Sequence, residues 1–214
     1  MKLTVTTFQT LDGVMQAPGG PEEDPAGGFE HGGWLVPHAD AEMGAFMDET
    51  FRAAEAFLLG RFTYETFAAY WPKMDDPDDT VATKLNTLPK HVVSRTLRDE
   101  DLTWEGASLL GEDVVARVTD LKAQPGGELQ VHGSAGLVQT LLHHGLVDEL
   151  RLLTFPVVLG SGKRLFGEGT VPAGVKLTDT RTTSAGTIIS VYAVEGRPGY
   201  GTFALDVEGS APAA

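Results

Sequence analysis

Three short segments place hydroxyls, with arginines, glycines or both, at the ends of apolar runs. They are Leu58-Leu59-Gly60-Arg61-Phe62-Thr63, Val92-Val93-Ser94-Arg95-Thr96 and Val131-His132-Gly133-Ser134-Ala135-Gly136-Leu137. Each apolar run suits a buried strand, and in open α/β sheets ligands bind outside the carboxyl ends of the strands. Gly60 allows close backbone approach, Arg61 offers a planar fork of donors, and Thr63 can bind phosphate through its hydroxyl and N–H. Gly133, Ser134, Ala135 and Gly136 keep bulk away from a helix N-terminus, where free N–H groups and the helix dipole attract anions. Taken singly, each segment also fits a capped helix, a plain strand exit or close helix–strand packing. Together, two arginines and a glycine-rich helix start suit a dinucleotide carrying an extra 2′-phosphate, so the expected cofactor is NADPH rather than NADH. The spacing is not the G-x-G-x-x-G fingerprint.

Other chemistries are excluded or weak. The chain of 214 residues has no cysteine, which removes disulfides, thiolate metal sites and cysteine nucleophiles. His143 and His144 lack an acid at ligand spacing, and Asp75, Asp76, Asp78 and Asp79 lack the calcium-loop pattern, so no metal site is expected. His132 at a strand end reads as structural. A formal net charge of -14 argues against nucleic-acid and membrane partners while leaving room for a phosphorylated small molecule held by local cations. The first residues are too few and too polar for a signal peptide, and no apolar run approaches the length of a membrane span. A cytoplasmic protein is expected.

The elements that must position these segments follow from periodicity. Strands are expected over residues 2–9, 56–59, 91–94, 129–132 and 150–159, the last interrupted at Pro156. Helices are expected over 40–54 with Asp40 as cap, then 63–69, 111–122 and 134–145. Residues 17–33, rich in glycine, proline and acid, form a long loop that reads equally as a lid over a ligand and as a surface excursion. Residues 175–182 and 187–194 read as a closing hairpin. The fold class is therefore α/β, a mainly parallel sheet with helices on both faces and an antiparallel C-terminal edge. One domain is expected over residues 1–195, followed by a tail over 196–214.

These segments, with Thr10-Leu11-Asp12-Gly13 and the stretch from Val147-Asp148-Glu149-Leu150 to Lys163-Arg164-Leu165-Phe166, resemble dihydrofolate reductases. They resemble more closely the reductase domain of the bifunctional riboflavin-biosynthesis enzyme, the RibD C-terminal family. The resemblance spans about residues 2–194. It implies a dihydrofolate-reductase-like three-layer fold, an NADPH site and a homodimer. It assigns Gly60, Arg61, Phe62 and Thr63 to the 2′-phosphate and pyrophosphate side, and Ser94, Arg95 and Thr96 to the adenosine end. It assigns Gly133, Ser134, Ala135, Gly136 and Leu137 to the pyrophosphate, with Phe8 and Val14 flanking the turn beside the nicotinamide.

The chain also departs from that pattern. Folate reductases carry a proton-donating carboxylate at a place that falls near Gly44 here, and the nearest carboxylates are Asp40, Glu42 and Asp48. Tyr64-Glu65-Thr66-Phe67 stands where the riboflavin-pathway reductase has an Asn-Asp pattern, and the zinc deaminase half is absent. The leading expectation is an NADPH-dependent reductase of a small electron-poor molecule, with Glu42 or Asp40 as proton donor and Asp12, Trp34, Met47 and Phe51 contacting substrate. Two alternatives stand beside it. One is a 5-amino-6-(5-phosphoribosylamino)uracil reductase using Lys163 and Arg164 for a second phosphate; the other is a dinucleotide-binding protein without turnover.

Overall fold

The parallel strands bury both faces, and several of them alternate apolar side chains with buried polar ones such as Thr4, Thr6, Gln130 and His132. The computed structural model describes residues 1–203. In chain order it contains β1 (Lys2–Thr10), α1 (Ala41–Arg52), β2 (Ala54–Gly60), α2 (Arg61–Tyr70), α3 (Thr80–Thr87), β3 (Lys90–Val93) and β4 (Ala107–Leu109). Then come α4 (Val114–Ala123), β5 (Glu128–His132), α5 (Ala135–His143), β6 (Glu149–Phe155), β7 (Val175–Thr182) and β8 (Ile188–Val194). The eight strands form one sheet in the order β4-β3-β2-β5-β1-β6-β8-β7. The first six pair in parallel, and β8 adds antiparallel to both β6 and β7.

Helices cover both faces. On one, Val118 of α4 and Leu137, Val138 and Leu141 of α5 pack on Leu3, Val5, Leu58, Leu129 and Val131. On the other, Phe51 of α1, Tyr64 of α2 and Leu85 of α3 pack on Phe57, Leu59 and Val92. Phe46 of α1 joins Val14, Trp34, Leu153 and Phe155 in a neighbouring cluster. Chain order dictates where the sheet opens. After β1 the chain crosses to β2 and moves outward to β4, then returns to lay β5 between β2 and β1.

Two elements lie outside the sequence expectation. Helix α3 carries three threonines and a valine, poor helix formers, and forms because Asp79 accepts the Ala82 N–H (2.9 Å) and Ala82 and Leu85 are buried. Strand β4 is three residues at the sheet edge, too short for a periodic signal. Boundaries also move where local chemistry acts. Helix α2 begins at Arg61 rather than 63, α4 begins after its cap Asp113, and β6 stops before Pro156. The expected tail is without helix or strand over 196–203, and its remainder lies outside the described residues.

Beneath β4 sits a buried lysine. Lys90 donates through Nζ to the carbonyls of Leu85 (2.6 Å) and Leu88 (2.7 Å), with the Trp104 ring centroid 4.6 Å away. Burial pulls its pKa from 10.5 down to about 8, against the opposing pull of Glu105. Between those values the unfolded chain holds a proton that the folded chain has lost, so this residue makes stability rise with pH. In urea unfolding, the wild-type protein is expected to gain stability relative to Lys90→Met as pH rises from about 8 to 10.5. A difference that stays constant across that window would contradict this account.

Candidate functional site

At the carboxyl ends of β1, β5, β2 and β3 lies a cavity of about 1240 Å³. Its architecture starts with Ser134. This residue and Gly133 both adopt left-handed backbone conformations (φ 64° and 74°) as the chain turns from β5 into α5. The Ser134 hydroxyl accepts the Gly60 N–H (3.0 Å) and bonds the Thr63 hydroxyl (2.5 Å). It thus joins the ends of two strands that are neighbours in the sheet and far apart in the chain. A Cβ on Gly60 would lie 2.7 Å from the Ser134 Oγ, so only glycine permits this approach.

The helices that follow those two strands share a property. Asp40, Asp79 and Asp113 each cap a helix through a carboxylate, at α1, α3 and α4. Neither α2 nor α5 has a side-chain cap, because Gly60 has no side chain and the Ser134 hydroxyl is turned to β2. Their first-turn residues, Arg61 to Thr63 and Ala135 to Leu137, line the cavity. Two sets of uncapped N–H groups and two dipole ends therefore meet there, an arrangement that favours anions. Arg61 is half-exposed, 3.9 Å from Glu65, and Arg95 has no ion-pair partner among the described residues. Ser94 shapes the turn between them and the sheet by accepting the N–H groups of Thr96 and Leu97 (3.1 and 2.9 Å). Phe8 lines the wall beside β1 and packs edge-on against Phe155.

The three strand-end segments thus converge on one cavity, and so does Phe8. Val14 does not: it is fully buried in the cluster around Trp34. The expected substrate contacts also lie elsewhere. The Asp12 carboxylate is occupied by the Thr10 hydroxyl (2.6 Å), the N–H groups of Leu159 and Gly160, and Arg164. The Thr10 hydrogen bond, with the two N–H groups, holds it well below the usual carboxylate range. Trp34 is buried, donating its indole N–H to the Gln16 carbonyl (2.8 Å). Met47 packs between two clusters beneath α1, and Phe51 stacks on the His132 ring at 4.5 Å.

The expected proton donors also lie outside the cavity. Asp40 accepts the N–H groups of Met43 (2.8 Å) and Ala185 (3.0 Å), and hydrogen bonding, led by that of Met43, holds its carboxyl below the usual carboxylate range. Glu42 accepts the Ser184 N–H. Both carboxylates fasten α1 to the β7–β8 turn, and neither lines the cavity.

Residues missed by sequence reasoning occupy the opposite wall. The 17–33 loop brings Glu23 and Asp24 to the cavity. Asp24 is buried and pairs with Lys163 (2.5 Å), while Gln16 ties the loop down through the carbonyls of Asp24 and Ala26 (2.9 Å each). Glu23 is half-buried, and burial raises its pKa against the lowering effect of the Gly19 N–H (2.6 Å). The only available signal was the loop's length and acidity. No group of three or more histidine, aspartate or glutamate side chains among the described residues is placed to hold a metal. No helix among them is long and apolar enough to cross a membrane.

A parallel sheet of this strand order, an antiparallel C-terminal pair and helices on both faces define a dihydrofolate-reductase-like fold. Dihydrofolate reductase from Enterococcus faecalis, solved with NADP(H), shares it with a TM-score of 0.56 at 13% identity, covering 90% of this chain and 96% of that one. The chain belongs to the RibD C-terminal domain family, whose model matches residues 1–190. It is 32% identical over 185 residues to the Bacillus subtilis (strain 168) protein YyaP, covering 86% of this chain and 89% of that protein. A Shewanella sp. PV-4 structure described as a riboflavin biosynthesis protein superposes with a TM-score of 0.69 at 20% identity, covering 91% and 99% of the two chains.

Gly60→Ala is expected to destabilise the protein by about 1–3 kcal/mol, because the methyl group forces β2 and β5 apart. Gly136→Ala, in open space inside α5, is expected to be neutral or stabilising by up to about 1 kcal/mol. Urea unfolding of both variants checks this; equal effects would contradict the tight approach at Gly60.

Proposed function

We propose that the protein is an NADPH-dependent reductase of a small, electron-poor molecule. The observation that carries this reading is the meeting of two uncapped helix N-termini, Arg61 and Arg95 in one cavity of an acidic protein. The N–H groups of α2 and α5 suit a pyrophosphate, and an arginine at the mouth suits a 2′-phosphate. Gly133 leaves the space that a Cβ would take, while Gly60 lets the Ser134 hydroxyl close against β2. NADPH, when bound, supplies the hydride.

The chain's own task is to orient the reactants, exclude water and deliver a proton. Among the carboxylates lining the cavity, Asp24 is tied to Lys163, Asp113 caps α4 and Glu112 is exposed. Glu23 is half-buried, and burial raises its pKa, which favours the protonated form that a donor needs. A phosphoribosyl substrate is the weaker alternative. The two late cations it needs are paired, Lys163 with Asp24 and Arg164 with Asp12.

The test follows NADPH absorbance across a panel containing dihydrofolate, cyclic imines and 5-amino-6-(5-phosphoribosylamino)uracil. Turnover of an unphosphorylated member is expected; oxidation with none of them contradicts the reductase reading. With the substrate so found, Glu23→Gln is expected to lower kcat by about 100-fold or more at neutral pH. The wild-type rate falls as pH rises and Glu23 loses its proton, and the variant lacks that fall. An unchanged rate and profile would remove Glu23 from the reaction.

A further inference from the structure

Along β5, residues 128, 130 and 132 point to one face of the sheet, and all three are polar. Their hydrogen bonds run in a chain whose direction chemistry fixes at every link. Arg151 on β6 grips Glu128 with two nitrogens (2.9 and 2.6 Å) and reaches Glu149 with Nε (2.9 Å), which also holds Lys2 (2.6 Å). Burial pushes the Glu128 carboxyl up, and Arg151 more than reverses this, so it stays ionised.

The fully buried Gln130 comes next. Its amide nitrogen lies 2.7 Å from the Glu128 carboxylate and 2.6 Å from the Thr50 carbonyl. Both of those groups only accept, so the amide has one possible orientation. Its oxygen then faces His132 Nε2 at 3.0 Å, and since that oxygen only accepts, Nε2 must carry the hydrogen. Burial, helped by the charge of Arg151, lowers the His132 pKa to about 3, so the ring is neutral. The remaining nitrogen, Nδ1, is a bare acceptor without a hydrogen-bond partner among the described residues. Phe51 stacked at 4.5 Å and Phe57 at 5.9 Å hold the ring in place.

His132 lines the cavity, and so does Thr6, its register partner on β1. Thr6 is 2% exposed, and its hydroxyl has no hydrogen-bond partner among the described residues. Buried polar groups in native proteins are nearly always paired. Here an acceptor and a hydroxyl, on register-paired residues of neighbouring strands, both lack a partner among the described residues. We infer that His132 Nδ1 and the Thr6 hydroxyl form a recognition edge for an amide-type group, an N–H beside a C=O, on the bound ligand. Arg151, Glu128 and Gln130 are the positioning residues that set the histidine tautomer. The inference rests on the reductase reading only for the ligand's identity. The amide is either the carboxamide of the nicotinamide or a ring amide of the substrate.

The experiment is ¹⁵N NMR of the His132 ring in the full chain, with nucleotide binding followed in parallel by nicotinamide fluorescence. The free wild-type protein is expected to show hydrogen on Nε2 and none on Nδ1 at neutral pH. Three additions then follow: NADPH, its 3-acetylpyridine analogue, and 5,6-diaminouracil with NADPH. An Nδ1 response to NADPH but not to the analogue assigns the edge to the cofactor's carboxamide. A response only with 5,6-diaminouracil assigns it to a substrate amide. Thr6→Val, which keeps the shape, is expected to weaken the responding ligand about tenfold while leaving the free protein at least as stable. A ring carrying hydrogen on Nδ1 overturns the inference. So does an Nδ1 that stays silent in all three arms, whether or not fluorescence shows bound NADPH. Absent nucleotide binding sinks the reductase reading separately, and the free-ring tautomer and the diaminouracil arm still decide the histidine.

Discussion

One hydroxyl, that of Ser134, holds the carboxyl ends of β2 and β5 together, and the site depends on that contact. It requires glycine at position 60, because any Cβ would collide with it. It requires a left-handed pair at Gly133 and Ser134, because only that turn aims the hydroxyl at β2 rather than back over its own helix. Its consequence is electrostatic. A serine at a helix start would ordinarily satisfy a first-turn N–H. With the hydroxyl drawn away, α5 presents its N–H groups to the cavity, and α2, starting after a glycine, does the same.

Charge placement follows the same logic. A chain with net charge -14 repels anions at long range, so phosphate recognition needs cations left unneutralised at short range. Two late cations are spoken for. Lys163 is bound by Asp24 and Arg164 by Asp12, and both pairs fix loops to the sheet rather than leaving charge for a ligand. Arg61 and Arg95 remain, one loosely paired and one without an ion pair among the described residues. Arg61 lies in the first turn of α2 and Arg95 in the turn after β3, and both line the cavity that the two helix starts share.

The sequence was most legible where residue type alone carries the chemistry. Glycines, hydroxyls and arginines at the ends of apolar runs converge in space because parallel strands bring all their carboxyl ends to one edge. Periodicity likewise located the long helices and the C-terminal hairpin. It failed for α3, where burial and an aspartate cap override poor propensity, and for β4, three residues held only by the sheet edge. Asp40 and Glu42 look alike in the sequence as caps and as acids. Only the fold shows that their oxygens are filled by the N–H groups at 184 and 185. Glu23 was hidden in a loop without periodic pattern. The His132 tautomer was out of reach, since it depends on the register of β1 with β5 and on Arg151 reaching across from β6. Val14, Trp34, Met47 and Phe51 were expected around the ligand and instead make up the packing behind it.

The central claim is that the two uncapped helix starts and the two arginines bind a dinucleotide bearing a 2′-phosphate. Its most direct test is a fluorescence titration of the wild-type protein, Arg61→Ala and Arg95→Ala with NADPH and with NADH. The account predicts NADPH binding in the micromolar range and weaker NADH binding. At least one arginine variant should lose roughly tenfold or more toward NADPH while changing little toward NADH. Equal affinity for the two nucleotides in all three proteins, or binding of neither, would contradict it.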